Sequence, residues 1–363
     1  MILDRYLARR FLVTFGLTFA GFLAVLALVD LVEQVRRFSG EVGSPGGLVA
    51  LTLLNLPRGI YGILPLICII AAVWLFLALA RSSELVAARG AGRSALRSLA
   101  GPVLVALLLG ALAVAALNPV VAATSREYEA RVGRIDGGRA TALAQDALWL
   151  RQAAPGGEGQ TVIRAARSSL DGTELGGATF LDFADGRPVR RIEAARARLR
   201  DGAWTLTDAR AWDLAAPNPE ATARAVPLLS VPSDLTPEGI RDAFAVPSSI
   251  PIWELAAFIR GLEEAGFAAR RHRVFLQTEL ALPLFLAATV LIAACFTIHH
   301  PRGRRTGVNV LLAVLTGFAA YILRNVSQVL GESGQLPPAL AAWAPPLVAI
   351  LLALAWLLHL EEG

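Results

Sequence analysis

The sequence predicts an α-helical membrane protein: six membrane-spanning helices in two groups of three, with a domain of different make inserted between them. Three observations lead there. Apolar residues make up 55% of the chain and charged ones only 17%, a departure from soluble usage in the direction of membrane proteins. Six uncharged apolar runs are long enough to cross a hydrocarbon core of about 30 Å, which takes about 20 residues of helix. Between the third and fourth runs, residues 126–271 lose that apolar continuity and acquire turn signals.

The runs extend from Phe11 to Val29, Gly59 to Ala80, Ser98 to Ser125, Leu280 to Ile298, Thr306 to Leu323 and Gln335 to Leu358. Asp4, Arg5, Arg9 and Arg10 precede the first and no small-residue cleavage site follows it, so it reads as a retained span. Orientation follows from the short basic loops, because arginine is in excess on the cytoplasmic side. Arg5, Arg9 and Arg10 precede span one; Arg81, Arg89, Arg93 and Arg97 separate spans two and three; Arg302, Arg304 and Arg305 separate spans four and five. The opposite side has Arg36 and Arg37 in its short loops, with Arg324 at the edge of span five. Both termini are therefore expected inside and residues 126–271 outside.

In that outer segment Asp171-Gly172, Asp185-Gly186 and Asp201-Gly202 punctuate short runs such as Thr161 to Ala165, Ala178 to Phe183 and Ala203 to Leu214, the pattern of hairpins. Trp204, Leu206, Trp212 and Leu214 fall on one face at the strand period of two, and an antiparallel sandwich or open barrel is expected. Leu235-Thr236-Pro237-Glu238 has the form of a helix start. Ile252, Leu255, Phe258, Ile259 and Leu262 then mark one face of an amphipathic helix leading to span four.

Chemistry is mostly excluded. The chain contains no lysine, so it cannot build a P-loop, whose lysine reaches the nucleotide phosphates. It has no His-Glu-x-x-His, no Gly-x-Ser-x-Gly and no Cys or His cluster at metal spacing. Neither a catalytic nor a metal site is expected. His299-His300 is the one histidine pair, and solvation in a basic loop suits adjacent histidines better than ligation. Cys68 and Cys295 lie inside predicted spans, so no disulfide framework is indicated.

The hinge from Arg81 to Ser94 is richer than a connector requires. Ser82 is placed to cap a short helix, Ser83 and Glu84 to occupy its first turn at the positive dipole end, and Gly90 to end it. Leu85 and Arg89, four apart, share a face. A knob for a cytoplasmic partner and an ordinary positive-inside loop both fit that spacing.

Several short motifs, in order, shift the balance. They are Leu3-Asp4-Arg5-Tyr6, Arg81-Ser82-Ser83-Glu84-Leu85-Val86, Glu174-Leu175-Gly176-Gly177, Leu235-Thr236-Pro237 and Leu336-Pro337-Pro338. Together with the layout they resemble the LptF/LptG lipopolysaccharide export permeases over essentially the whole chain, and the first and third favour the LptG branch. The resemblance implies a permease subunit of an ABC exporter that extracts lipopolysaccharide from the inner membrane and serves outer-membrane biogenesis. It implies an LptF-like permease, two LptB-like ATPase subunits binding ATP and Mg, an LptC-like single-span protein and a periplasmic bridge protein as partners. Lipopolysaccharide and membrane lipid would be its ligands; no cofactor of its own and no nucleic acid are implied.

It also implies three spans in residues 1–125 with a coupling helix near 82–90, a periplasmic β-jellyroll-like domain in 126–271, and three spans in 272–363. ATPase coupling falls to Glu84, Leu85 and Val86, with Arg81, Ser83, Arg89 and Gly90 beside them. Arg36 and Arg37 match basic positions of the family, and Arg58 beside Pro57 is a further candidate for the lipid's phosphate or carboxylate groups. Two departures stand out: Asp30 and Glu279 occupy places where relatives carry cations, and Arg324 is the nearest compensation within the chain. Rival readings are the LptF-type partner, a membrane-anchored periplasmic sensor or enzyme without an ATPase, and a passive channel, against which the uncharged spans speak.

Overall fold

The computed structural model describes residues 2–38, 45–82, 84, 90, 94–135, 148–153, 159–169, 172–184, 186–200, 202–233, 235, 246–264, 269–297 and 306–362. The chain divides into two compact units: 1–131, 247–256 and 270–363 in the first, 132–246 and 257–269 in the second.

The first unit is helical. Its elements are α1 (Ile2–Phe38), α2 (Pro45–Gly62), α3 (Leu64–Arg81), α4 (Ala95–Leu112), a π-turn (Ala113–Leu117) and α5 (Asn118–Ile135). Later in the chain come α6 (Ile252–Glu264), which counts to this unit only through residue 256, then α7 (Arg270–Thr297), α8 (Thr306–Glu332) and α9 (Pro338–Glu362). Among the described residues, six helical stretches are long and apolar enough to span a membrane, at Ile2–Phe38, Leu64–Arg81, Leu96–Val132, Arg270–Thr297, Gly307–Glu332 and Pro338–Leu360. Span two is broken where the sequence suggested one helix from Gly59. Pro65 opens α3, and its missing N–H and fixed φ favour a fresh helix start over continuation.

α7 is the centre of this bundle: 78% of its apolar window is buried, against 6% for α1 and 11% for α8. Between helices in lipid, close packing replaces the hydrophobic drive, so small residues mark the crossings. A Cβ on Gly110 of α4 would collide with the backbone of Pro283 in α7, and one on Gly101 would stand 2.6 Å from the carbonyl oxygen of Asp4 in α1.

The second unit carries β1 (Leu148–Ala153), β2 (Gln160–Ser168), β3 (Glu174–Ala184), β4 (Arg187–Arg200), β5 (Ala203–Asp213) and β6 (Arg224–Pro232). They pair antiparallel in sequence order as a meander. Gly172, Gly186 and Gly202 turn three hairpins with positive φ; the aspartates before them lie outside the described residues. The jelly-roll-like domain implied by resemblance is here one rolled sheet. Gln152 of β1 donates to the carbonyl of Pro232 at the end of β6 (3.0 Å) and accepts from Ser233 (2.7 Å). In a flat sheet these edges would stand about 24 Å apart at 4.8 Å per strand.

A crease crosses five strands and helps the sheet roll. Ala166, Gly177, Ala195, Asp208 and Pro227 each fall between paired neighbours and take no partner in the register. Gly177 and Asp208 have φ of +62° and +53°, and proline has no ladder N–H to lose. The strands keep their register across the crease, but the changed backbone conformation there moves the side-chain alternation by one place. Trp204 and Leu206 therefore face the buried core with Phe180, Ile192 and Ile163, and beyond the crease Ala209 continues that face. Trp212, expected with Trp204, is instead sandwiched outside the core between Arg191 (5.4 Å) and Arg210 (5.9 Å).

The amphipathic helix is α6, with Ile252, Leu255, Ile259 and Leu262 buried as its period requires. The proposed helix start at Thr236-Pro237-Glu238 lies outside the described residues. Gly110→Leu should push α4 off α7, an overpacking cost of about 1–3 kcal/mol or more. The check is a lower unfolding midpoint in a denaturing-detergent titration, with Gly16→Leu, where a Cβ meets nothing, as the tolerated control.

Candidate functional site

Three helix irregularities of the first unit converge on one polar pocket. The break after α2 places Tyr61 beside a freed carbonyl at Gly62, which accepts from the hydroxyl of Tyr321 (3.2 Å). The π-turn loosens the α4–α5 rod; there the carbonyl of Ala115 accepts from the indole of Trp253 (3.2 Å). Pro283 in α7 cannot donate to the carbonyl one turn back, at Glu279.

Glu279 is 3% exposed, and its carboxylate accepts from the Tyr61 hydroxyl and from Asn118 Nδ2 (3.3 Å). Asn118 is used at both ends, since its Oδ1 accepts from the backbone N–H of Ile252 (3.0 Å). That N–H belongs to the first turn of α6 and has no helical acceptor. One amide thus joins the start of α6 to the carboxylate of α7.

The cavity beside these groups has a volume of about 260 Å³ and is lined by Arg58, Tyr61, Asn118, Glu279, Tyr321 and Arg324 among others. Arg324 lies over the ring of Phe285 (5.5 Å), and Arg58 stands 3.9 Å from Glu129. The arrangement presents two guanidinium groups and one carboxylate within an apolar bundle. It has the groups to hold phosphate or carboxylate through arginine and a hydroxyl or ammonium through Glu279.

The sequence-named candidates separate into places. Arg58 and Arg324 meet in the pocket. Asp30 belongs to another network: it accepts from Asn55 (2.6 Å) and Gln34 (3.4 Å), and Gln34 donates to Tyr128 (3.1 Å). Neutral amide donors from α1 and α2 satisfy it. Arg36 is exposed and paired with Glu33 (2.9 Å), and Arg37 covers the ring of Phe38 (4.9 Å); neither reaches the pocket. Tyr61 and Asn118 escaped sequence reasoning, although Asn118-Pro119 was a visible polar break inside an apolar span.

In the hinge, Ser82 is the C-cap of α3, with its N–H bonded to Ala78 (3.0 Å), and Glu84 and Gly90 are helical. Its hydroxyl donates to Glu84 (2.7 Å). Glu84 accepts also from Arg10 (2.7 Å) and from the Tyr6 hydroxyl (3.0 Å) of α1. Burial alone would raise its carboxyl, yet the bonds from Arg10, Ser82 and Tyr6 outweigh burial and hold it below the ordinary value. Arg81 and Gly90 are exposed; Ser83, Leu85, Val86 and Arg89 lie outside the described residues, as do His299 and His300.

A family model described as "Lipopolysaccharide export system permease LptF/LptG" matches residues 5–359. Among curated relatives, the lipopolysaccharide export system permease protein LptG of Escherichia coli K12 is 24% identical over 363 residues, covering 98% of each chain. The protein of the same name from Haemophilus influenzae is 22% identical over 373 residues, again covering 98% of each.

Two outcomes follow from the geometry. Asn118→Ala leaves the Ile252 N–H and one side of Glu279 unpaired, a loss of about 1–3 kcal/mol; Asn118→Asp, which sets a carboxylate against Glu279, should cost more, and melting in mild detergent ranks them. For Glu84 the folded-state value is depressed, so its contribution is fully present above the ordinary carboxyl value of 4.5 and fades as pH falls through the lower, folded value. The melting-temperature difference between wild type and Glu84→Gln should therefore hold steady from neutral pH down to that ordinary value and shrink below it.

Proposed function

The chain belongs to the LptF/LptG family of lipopolysaccharide export system permeases, and from that premise we propose that it is the LptG-type subunit of an ABC exporter that extracts lipopolysaccharide from the inner membrane. The observation that carries this most directly is the match of the family model from residue 5 to residue 359, with its LptG-named relatives. ATP and Mg would be bound by two LptB-like partners, in keeping with a chain that has no lysine for a P-loop. An LptF-like permease, an LptC-like single-span protein and a periplasmic bridge protein complete the assembly. Both termini are cytoplasmic in this reading, and the sheet unit is periplasmic.

The exposed apolar sides of α1 and α8 support partnership. Leu17, Val25, Leu28 and Val32 on α1 and Leu311, Leu315 and Phe318 on α8 are all open, which suits lipid, substrate acyl chains and a second permease around a shared cavity. The polar pocket supplies Arg58 and Arg324 for anionic groups of the lipid. Arg36 and Arg37 act at the open end of α1, and Asp30 shapes the adjoining hydrogen-bond network. The hinge provides the mechanical input. Arg81, Ser83, Leu85, Val86, Arg89 and Gly90 meet the ATPase, while Glu84, bonded to Arg10 and Tyr6, passes displacement of the hinge to α1.

Affinity purification from native membranes in mild detergent should bring a P-loop ATPase, a second six-span chain and lipopolysaccharide with this chain. Glu84→Arg should abolish export while leaving the chain inserted, and unchanged export would overturn the coupling role. A charge swap separates two ways of failing: Arg10→Glu combined with Glu84→Arg should restore export if the clasp to α1 is what matters. It should leave export lost if the carboxylate acts in the ATPase groove.

A further inference from the structure

The sheet carries an arginine cluster on its outer face that the transport pocket does not use. Arg196, Arg198 and Arg200 alternate with Ala197 and Leu199 on β4; the two apolar residues are buried and the three arginines exposed. Successive arginines therefore project from one face about 6.6 Å apart, at 3.3 Å per residue. Thr207 lies opposite Arg196 and Thr205 opposite Arg198 on β5. These five residues and Glu174 line a hollow of about 320 Å³.

The Glu-Leu-Gly-Gly motif builds one wall of it. Glu174 pairs with Arg198 (2.6 Å) and Leu175 enters the core. Gly176 sits between Arg167 of β2 and Arg196 of β4 in the register, and a Cβ on it would come within 3.3 Å of Arg167 Nε. Gly177 makes the crease. With no side chain at 176, the guanidinium of Arg167 lies over the glycine. Four arginines thus share a face with one carboxylate, and among the described residues Arg167, Arg196 and Arg200 have no ion-pair partner.

We propose that this hollow binds a saccharide bearing several phosphate or carboxylate groups, the headgroup chemistry of an anionic glycolipid. The identification of the saccharide rests on the export reading above. Like charges side by side on a sheet repel, and one small anion would satisfy only part of the cluster. The backbones of Arg196 and Arg200 stand about 13 Å apart along the strand and that of Arg167 about 10 Å from Arg196 across it, with the Arg167 guanidinium reaching in over Gly176, so the face fits several anionic groups spaced over a sugar backbone. Guanidinium forks take phosphate and carboxylate bidentately, and Thr205 and Thr207 offer hydroxyls that donate to and accept from sugar hydroxyls. A concave site with hydroxyls beside its cations suits a saccharide better than a flat bilayer surface.

The test uses the full chain in neutral detergent and, as probe, fully deacylated lipopolysaccharide that retains its phosphates, so that acyl-chain binding in the bundle is not read. Binding should weaken about tenfold or more in Arg196→Ser/Arg200→Ser, fall with added salt and fall similarly on dephosphorylation of the probe. It should persist in Arg187→Ser/Arg224→Ser, two exposed arginines elsewhere on the sheet. Arg196→Lys/Arg200→Lys, which keeps charge without the fork, should show an intermediate loss. Equal binding by wild type and the serine variant overturns the site. Inorganic pyrophosphate binding as tightly as the saccharide reduces it to a small-anion site and overturns the saccharide assignment. A loss confined to phosphatidylglycerol vesicles, with saccharide binding intact, assigns the face to the membrane and also overturns it. Failure of the reconstituted exporter to extract lipopolysaccharide would strike the export reading alone, because the soluble saccharide reports on the sheet directly.

Discussion

Everything in the helical unit answers to one constraint: a polar group inside a bilayer has to find its partner within the protein. Breaking a helix there exposes backbone groups, and breaking three in one place is tolerable only if the breaks satisfy each other. The carbonyls freed at Gly62 and Ala115 accept from Tyr321 and Trp253. Asn118 spans the gap between the unpaired N–H of Ile252 and the carboxylate of Glu279. The cavity beside Arg58 and Arg324 is what remains when rods that would otherwise pack side by side are interrupted. In this sense the pocket is a product of the irregularities and not an addition to them.

The sheet meets a different constraint with a similar device. Six antiparallel strands roll until Gln152 ties the first to the last, and the crease through Gly177, Ala195, Asp208 and Pro227 helps them do so without interrupting the ladders for more than one residue each. The same crease divides the outer face. On one side of it lie Arg196, Arg198 and Arg200, and on the other Arg191 and Arg210 cover Trp212. A local change of backbone conformation thus sorts exposed arginines into one group that is matched by an aromatic ring and another that is not.

How much was legible in the chain depended on whether the governing signal was local. Membrane spans are local: an uncharged apolar run announces itself, and the six spans and the inserted strands emerge where composition changes. The amphipathic α6 was equally plain from Ile252, Leu255, Ile259 and Leu262. Trp212 was misplaced because strand period two was carried across Asp208, where a positive φ resets the alternation. Its signal was the adjacent exposed pair Thr207-Asp208, indistinguishable in sequence from a turn. The meeting of Arg58 with Arg324 has no local signature at all, since it is set by how α2 and α8 pack. Glu279 was noticed only as a departure from relatives, while its partners Tyr61 and Asn118 became visible with the helix breaks. Ser82 closes α3, a role that a serine after an apolar run leaves open in sequence, because serine suits either end of a helix.

The carboxylates Asp30 and Glu279 meet the demand for internal partners without a close ion pair. A carboxylate would be costly in apolar surroundings if it stood alone. Neither does. Asp30 is held by amides of Asn55 and Gln34, and Glu279 by Tyr61 and Asn118, so each is stabilised by neutral donors without consuming an arginine. Arg324 lines the pocket with no salt bridge among the described residues, and Arg58 stands at the outer limit of one, 3.9 Å from Glu129. Had Glu279 been neutralised by a close ion pair with Arg324, the cavity would have lost a cation to internal accounting. Satisfying the acid with hydroxyl and amide groups leaves Arg324 near Glu279 without a direct salt bridge among the described residues, so both guanidinium groups still line the cavity for an anionic ligand.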